Sequence, residues 1–170
     1  MTTTETTTPI WDFVLKFYGR QGVSEACIAL QDSVGIDVNM VLFLMWMAAH
    51  GRGLAAEDVK TVSEKSHGWQ REVVVPIRGV RRLLKANAPL VDAEAAAAYR
   101  KKVQAVELEG EQLQLNAMAA LSASLRSSAA QPEQAARANL QAFQQAAGKQ
   151  FSQAAVDTFA RALTEVVDGK

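Results

Sequence analysis

Glu64 and His67 stand three residues apart. In helical bundles a Glu-x-x-His pair supplies one half of a carboxylate di-iron centre, because residues i and i+3 share a helix face. The chain has two histidines, His50 and His67, so the other half cannot be built in the usual way. A surface pair is the plainer reading, and no metal or other cofactor is expected. Cys27 is the single cysteine. With a histidine as base it has the makings of a thiolate nucleophile, but it falls on the apolar stripe of its helix, where a free cysteine acts as a packing residue. Glu25, Asp32 and Asp37 offer carboxylates for acid–base work or for a magnesium ion. Asp37, however, stands where a helix needs an N-cap, and Glu25 and Asp32, seven apart, read as a solvated helix side. The phosphate-loop pattern, the glycine-rich dinucleotide turn and the serine-hydrolase elbow are all missing. The chemistry-bearing residues thus lean away from an enzyme.

A binding surface is easier to find. Arg71, Arg78, Arg82 and Lys85, with Arg81 at the edge, recur at helical spacing opposite Trp69, Val73, Ile77, Val80 and Leu84. Arginine's planar fork grips phosphate or carboxylate through two hydrogen bonds at once, which makes this face a candidate for RNA, DNA or an acidic partner helix. The plainer alternatives are a solvated exterior, or a face neutralised within the fold by Glu107, Glu109 and Glu111. Aromatic residues interleaved with the cations, which mark a single-strand platform, are missing from it. Overall charge offers no guidance, since 18 Lys and Arg balance 18 Asp and Glu. Attraction to nucleic acid or an anionic membrane must therefore be local.

These residues need helices to position them. Thr8 followed by Pro9 predicts a helix start, and Ile10, Phe13, Val14 and Phe17 then share one face. A second helix carries Val23, Ala26, Cys27, Leu30 and Val34, with Gly35 as its left-handed cap. Asp37 caps a third helix over 38–50, apolar nearly all round and so surrounded by others. Its apolar run of about 12 residues falls short of the roughly 20 needed to span a membrane. Helix is expected again over 55–86, bending near His67–Gly68 and at Pro76. The opening MTTTETTTPI lacks the basic and apolar regions of a secretory signal and reads as a frayed tail. Trp11, Trp46 and Trp69 all fall on apolar faces and are expected in the core. Asn39, inside the apolar third helix, has to find hydrogen-bond partners.

After Asn87-Ala88-Pro89 the composition changes: residues 87–170 hold 23 of the 30 alanines and four of the eleven aromatics, which suggests a boundary. Asp92 predicts the cap of a long helix, and the segment after Pro132 is expected to return along it as an antiparallel hairpin. The expected organisation is a tail at 1–8, a helical core at 9–88, and an Ala-rich hairpin at 89–170 packed on that core. No strand pattern is visible, and the fold class is all-α.

Several segments together resemble a known family. They are Trp11-Asp12-Phe13, Val23-Ser24-Glu25-Ala26-Cys27, Leu30-Gln31-Asp32, Gly35-Ile36-Asp37-Val38-Asn39 and Leu42-Phe43-Leu44-Met45-Trp46 in the first half. Arg71-Glu72-Val73-Val74, Pro76-Ile77-Arg78, Val80-Arg81-Arg82-Leu83-Leu84-Lys85 and Glu107-Leu108-Glu109-Gly110-Glu111 follow. Over residues 10–125 the chain resembles an uncharacterised, mainly proteobacterial family of small helical proteins, the domain of unknown function 2390. The resemblance implies a helical fold and supplies no catalytic residues. With one cysteine and no apolar span, the expectation is a cytoplasmic, non-enzymatic helical module that binds a protein partner. The alternative is a nucleic-acid or ribosome-associated factor using Arg71 to Lys85.

Overall fold

The most apolar stretch of the chain becomes the centre of the fold. In the computed structural model, which describes residues 8–169, Val38–Ala49 forms α3, and nine of its twelve residues are buried. Asp37 caps it, accepting from the Asn39 N–H at 2.9 Å. Helix α1 (Pro9–Tyr18) lays Ile10, Phe13, Val14 and Phe17 into the core, as their spacing requires. Each large apolar side chain removed from water in this way contributes about 1.5–3 kcal/mol. The expected tail at 1–8 lies, apart from Thr8, outside the described residues. Thr8 does stand at the N-cap of α1, but its hydroxyl makes no cap bond and instead donates to Asn116 Oδ1 at 2.6 Å.

Two of the expected helices contain a wider turn. Val23–Ala29 is α2, and Leu30–Val34 continues it as a π-helical turn ending on Gly35, whose φ of 74° is the left-handed cap. Ala56–Trp69 is α4, Gln70–Val74 is a second π-helical turn, and Val75–Ala86 is α5, with Pro76 in its first turn. An i→i+5 turn thus stands between the two positions where bends were expected. Between α3 and α4 the chain forms Arg52–Gly53 (β1), which pairs antiparallel with Ser128–Ala129 (β2). The expectation of no strands is corrected by this two-residue ladder, too short to leave a period in the sequence. Gly51 enters it with φ 67°, where a Cβ would lie 3.0 Å from the Ala130 carbonyl.

Ala93–Leu121 forms the long helix α6, capped by Asp92 through the Ala95 N–H. The expected antiparallel return along α6 does not form; the segment after Pro132 packs on α3 and α4 instead. It is two helices, α7 (Pro132–Ala147) and α8 (Gln153–Val167), separated by Gly148 in the left-handed conformation and by Ser152, which caps α8. Helix α7 packs chiefly on α3, α4 and α8, while α6 lies along α5. Asn139 anchors α7. Fully buried, it accepts from Leu54 N–H at 2.7 Å and donates to Leu44 O and Arg52 O at 3.1 and 3.0 Å. One apolar cluster runs from Ile10 through α3 to Phe159 and Leu163. The fold is all-α apart from the short ladder, and no helix among the described residues is long and apolar enough to cross a membrane.

Candidate functional site

Helix α5 lies on α6 along a mixed face: Ile77 and Leu84 of the apolar stripe are half-buried together with Arg78 and Arg81, while Arg82 and Lys85 stay exposed. None of its residues is buried, and its apolar side chains Val80 and Leu83 are 46% and 54% exposed. Two of the arginines turn inward, Arg78 and Arg81. Arg78 Nε donates to Glu107 at 2.8 Å and Arg78 Nη2 to Glu111 at 2.7 Å, while Arg81 donates to Glu107 through both Nε and Nη2. Glu107 and Glu111 are one turn apart on α6 and so present two carboxylates to one line of cations. The π-helical turn at 70–74 explains part of this mixed face, because it shifts the phase of everything after Trp69. Val74, not Val73, becomes the buried residue there, facing Gly110 of α6.

Behind the ion pairs lies a hydrogen-bonded relay to α3. Asn39 Nδ2 donates to Gln114 Oε1 at 2.9 Å, and Gln114 Nε2 donates to Asp37 Oδ2 at 2.6 Å. The buried amide expected to need partners has them. Burial pushes the Asp37 carboxyl above its ordinary value, against the hydrogen bonds from Gln114 and Asn39. Burial likewise pushes Glu111 up, only partly opposed by Arg78. Glu107 goes the other way: burial raises it, but the hydrogen bonds and charges of Arg81 and Arg78 more than reverse that and hold it low. Arg81 is raised, chiefly by its hydrogen bond to Glu107.

This polar floor borders a cleft of about 550 Å³ between α1, α2 with its π-helical turn, the start of α3, α5 and α6. One wall is apolar and open to solvent, with Leu15 and Ile28 55% and 52% exposed beside Trp11, Tyr18 and Leu108. Arg78, Arg81, Arg82 and Lys85 form the other. Burial raises the Tyr18 hydroxyl, and the Glu111 carboxylate adds to the rise. Arg82 reaches Asp32 at 3.3 Å, and Lys85 has no ion pair among the described residues.

Four of the five predicted site residues, Arg78, Arg81, Arg82 and Lys85, are thus brought to one cleft. Arg71 is not: it pairs with its neighbour Glu72 at 2.9 Å on the surface. The apolar wall was not singled out from the sequence, though Ile28 lies off the stripe of α2 and Leu15 off that of α1, which was a readable signal. Of the other candidates, Cys27 is buried, and desolvation pushes its thiol up to about 12. His50 Nδ1 bonds to the Trp46 carbonyl at 2.8 Å. Glu64 makes an exposed pair with Lys60 at 3.8 Å. No group of three or more His, Cys, Asp or Glu among the described residues is placed to hold a metal ion. Trp11 and Trp46 pack against the core. Trp69, expected there too, is 40% exposed, its indole N–H held by the Gly110 carbonyl at 2.9 Å.

The fold and cleft define a small helical protein with an amphipathic groove. The chain belongs to the family described as "Protein of unknown function (DUF2390)", whose model matches residues 9–118. That match spans α1 to most of α6, and with them every element of the cleft, while α7 and α8 lie beyond it. No curated protein and no solved structure matches the chain.

Proposed function

We propose that the protein is a non-enzymatic binding module of the bacterial cytoplasm that docks a partner protein segment in the cleft between α1, α2, α5 and α6. The observation that carries this reading is the exposure of Leu15, Ile28 and Leu108 in the same cleft as Arg82 and Lys85. Apolar side chains left open beside cations suit a segment with an apolar face and an acidic edge, because burial supplies affinity and charge supplies orientation. The local charge is modest, since Arg78, Arg81 and Arg82 each have a carboxylate inside the chain. That favours a protein segment over nucleic acid, where several free phosphate contacts are needed. The free thiol of Cys27, with no partner to oxidise to within the chain, suits a reducing compartment.

The test is capture from bacterial lysate, nuclease-treated and untreated, at low and high salt. The immobilised protein is compared with Leu15→Asp/Ile28→Asp and with Arg82→Glu/Lys85→Glu, all chosen from exposed positions. The expected result is a protein retained at high salt by the parent and lost with the apolar-wall variant. Retention that is steeply salt-dependent, nuclease-sensitive and lost only with the charge variant would replace this reading with the nucleic-acid one.

A further inference from the structure

The flank of the α5–α6 pair that faces away from the cleft is apolar and uncovered. Successive residues of a helix turn by about 100°, so residues two apart face nearly opposite ways. Arg78 and Arg82 border the cleft, which points Val80 away from it, and Gln104 and Leu108 do the same for Val106. Tyr99, Val106 and Leu113 recur every seven residues and so form one line along α6. With Val80 and Trp69 on the neighbouring helices, all five are 40% to 58% exposed, and a run of large apolar side chains open to water marks an interface. Trp69 and Leu113 also wall a groove of about 330 Å³ between α4 and α6, with Ala117, Met118 and Leu121 beside them.

Charge indicates what covers this face. Lys102 and Glu109 flank the line, are exposed, and have no ion pair among the described residues. A second copy turned about a two-fold axis at Val106 runs antiparallel, which sets Tyr99 against Leu113 and Lys102 against Glu109, each contact made twice. A parallel copy would instead bring Lys102 to Lys102 and Glu109 to Glu109, which is unfavourable. The area suffices as well. From Tyr99 to Ala117 the face is about 27 Å long, and two helices make it about 20 Å wide. That is on the order of 550 Å² in projection, before the relief of the side chains is counted, against roughly 600 Å² per partner in the smallest stable interfaces.

We propose that the chain forms a two-fold antiparallel dimer through this flank, with Tyr99 of each copy entering the α4–α6 groove of the other. The inference does not rest on the partner-binding cleft, which lies on the opposite flank and stays open in the dimer. A crosslink from Leu113 therefore joins two copies of this chain and is distinct from any product formed in the cleft.

The experiment is sedimentation velocity of the full chain at low salt, over concentrations up to about 0.1 mM. A dimer is expected. Val106→Lys, at an exposed position, sets two like charges at the axis and should weaken the dimer at least about a hundredfold. Lys102→Glu and Glu109→Lys should each weaken it about tenfold, and the double exchange Lys102→Glu/Glu109→Lys, which restores opposite signs, should return it to the parent's strength. Circular dichroism matching the parent's establishes that each variant folds, and Leu15→Asp/Ile28→Asp in the cleft should leave the dimer intact. A chain that stays monomeric at about 0.1 mM overturns the proposal, as does a dimer unchanged by Val106→Lys, or one that the double exchange fails to restore.

Discussion

Replacing Glu107 with alanine removes one carboxylate from two guanidiniums at once. The side chains of Glu107, Arg78 and Arg81 are 7%, 12% and 22% exposed, so water cannot simply take the place of the lost acceptor. Removing one partner of a buried ion pair is unfavourable by about 3–5 kcal/mol, because the other charge is left uncompensated. Arg78 keeps Glu111 at 2.7 Å, and Arg81 retains some access to solvent, which places the expected loss near the lower end, about 3 kcal/mol. The internal comparison is Arg82→Ala, which breaks the Arg82–Asp32 pair at 57% and 55% exposure. A pair so open to water contributes only about 0–1 kcal/mol. Urea denaturation of both variants measures the two losses, and native-state hydrogen exchange shows where the first one acts. Since α5 buries no residue of its own, its amides should lose protection before those of α3. Equal, small losses in Glu107→Ala and Arg82→Ala would refute the reasoning and return the arginines to the solvated exterior.

Asn139→Ala leaves the Leu54 N–H and two carbonyls without their buried partner, and urea denaturation should show a loss of about 2–4 kcal/mol. The acid limb of stability should divide between two glutamates. Glu107, held below its ordinary 4.5, contributes stability that is present above 4.5 and lost as pH falls through its lower folded value. Glu111, raised above 4.5, contributes stability that is present below 4.5 and lost as pH rises through its higher folded value. Glu111→Gln should therefore flatten the stability profile just above pH 4.5, and Glu107→Gln should flatten it below, both read by urea midpoints across pH. Cys27, buried with its thiol pushed up to about 12, should resist a thiol reagent at pH 8 until urea unfolds the chain; prompt stoichiometric labelling of the native protein would contradict its placement.

The sequence made the helices legible wherever a local residue type sets a boundary. Asp37, Asp92 and Gly35 each act through their own side chain or backbone, and each stands at the predicted cap or stop. The break between α7 and α8 was also written locally, in Gly148 and Ser152, but apolar residues at matching spacing on both sides disguised it as one helix. The π-helical turns were not legible. A single extra residue per turn leaves no mark on composition, yet it shifts every face that follows, so Arg71 separates from Arg78. The orientation of α5 was hidden for a different reason. An amphipathic pattern says which residues differ, while the partner decides which side is turned in. Here the partner is α6, where Glu107 and Glu111 bind the arginines and Glu109 stays exposed.

The most direct test of the partner-binding cleft is site-specific photo-crosslinking in living bacteria. A benzophenone side chain is placed at Ile28 or Leu108 on the cleft wall, and, as controls, at Leu113 or Val167, which are comparably exposed but do not line the cleft. The expected result is one protein crosslinked from both cleft positions and from neither control, with the product lost on adding Arg82→Glu and Lys85→Glu. The same product from all four positions, or none from the cleft pair, would contradict the assignment of the cleft as the working surface.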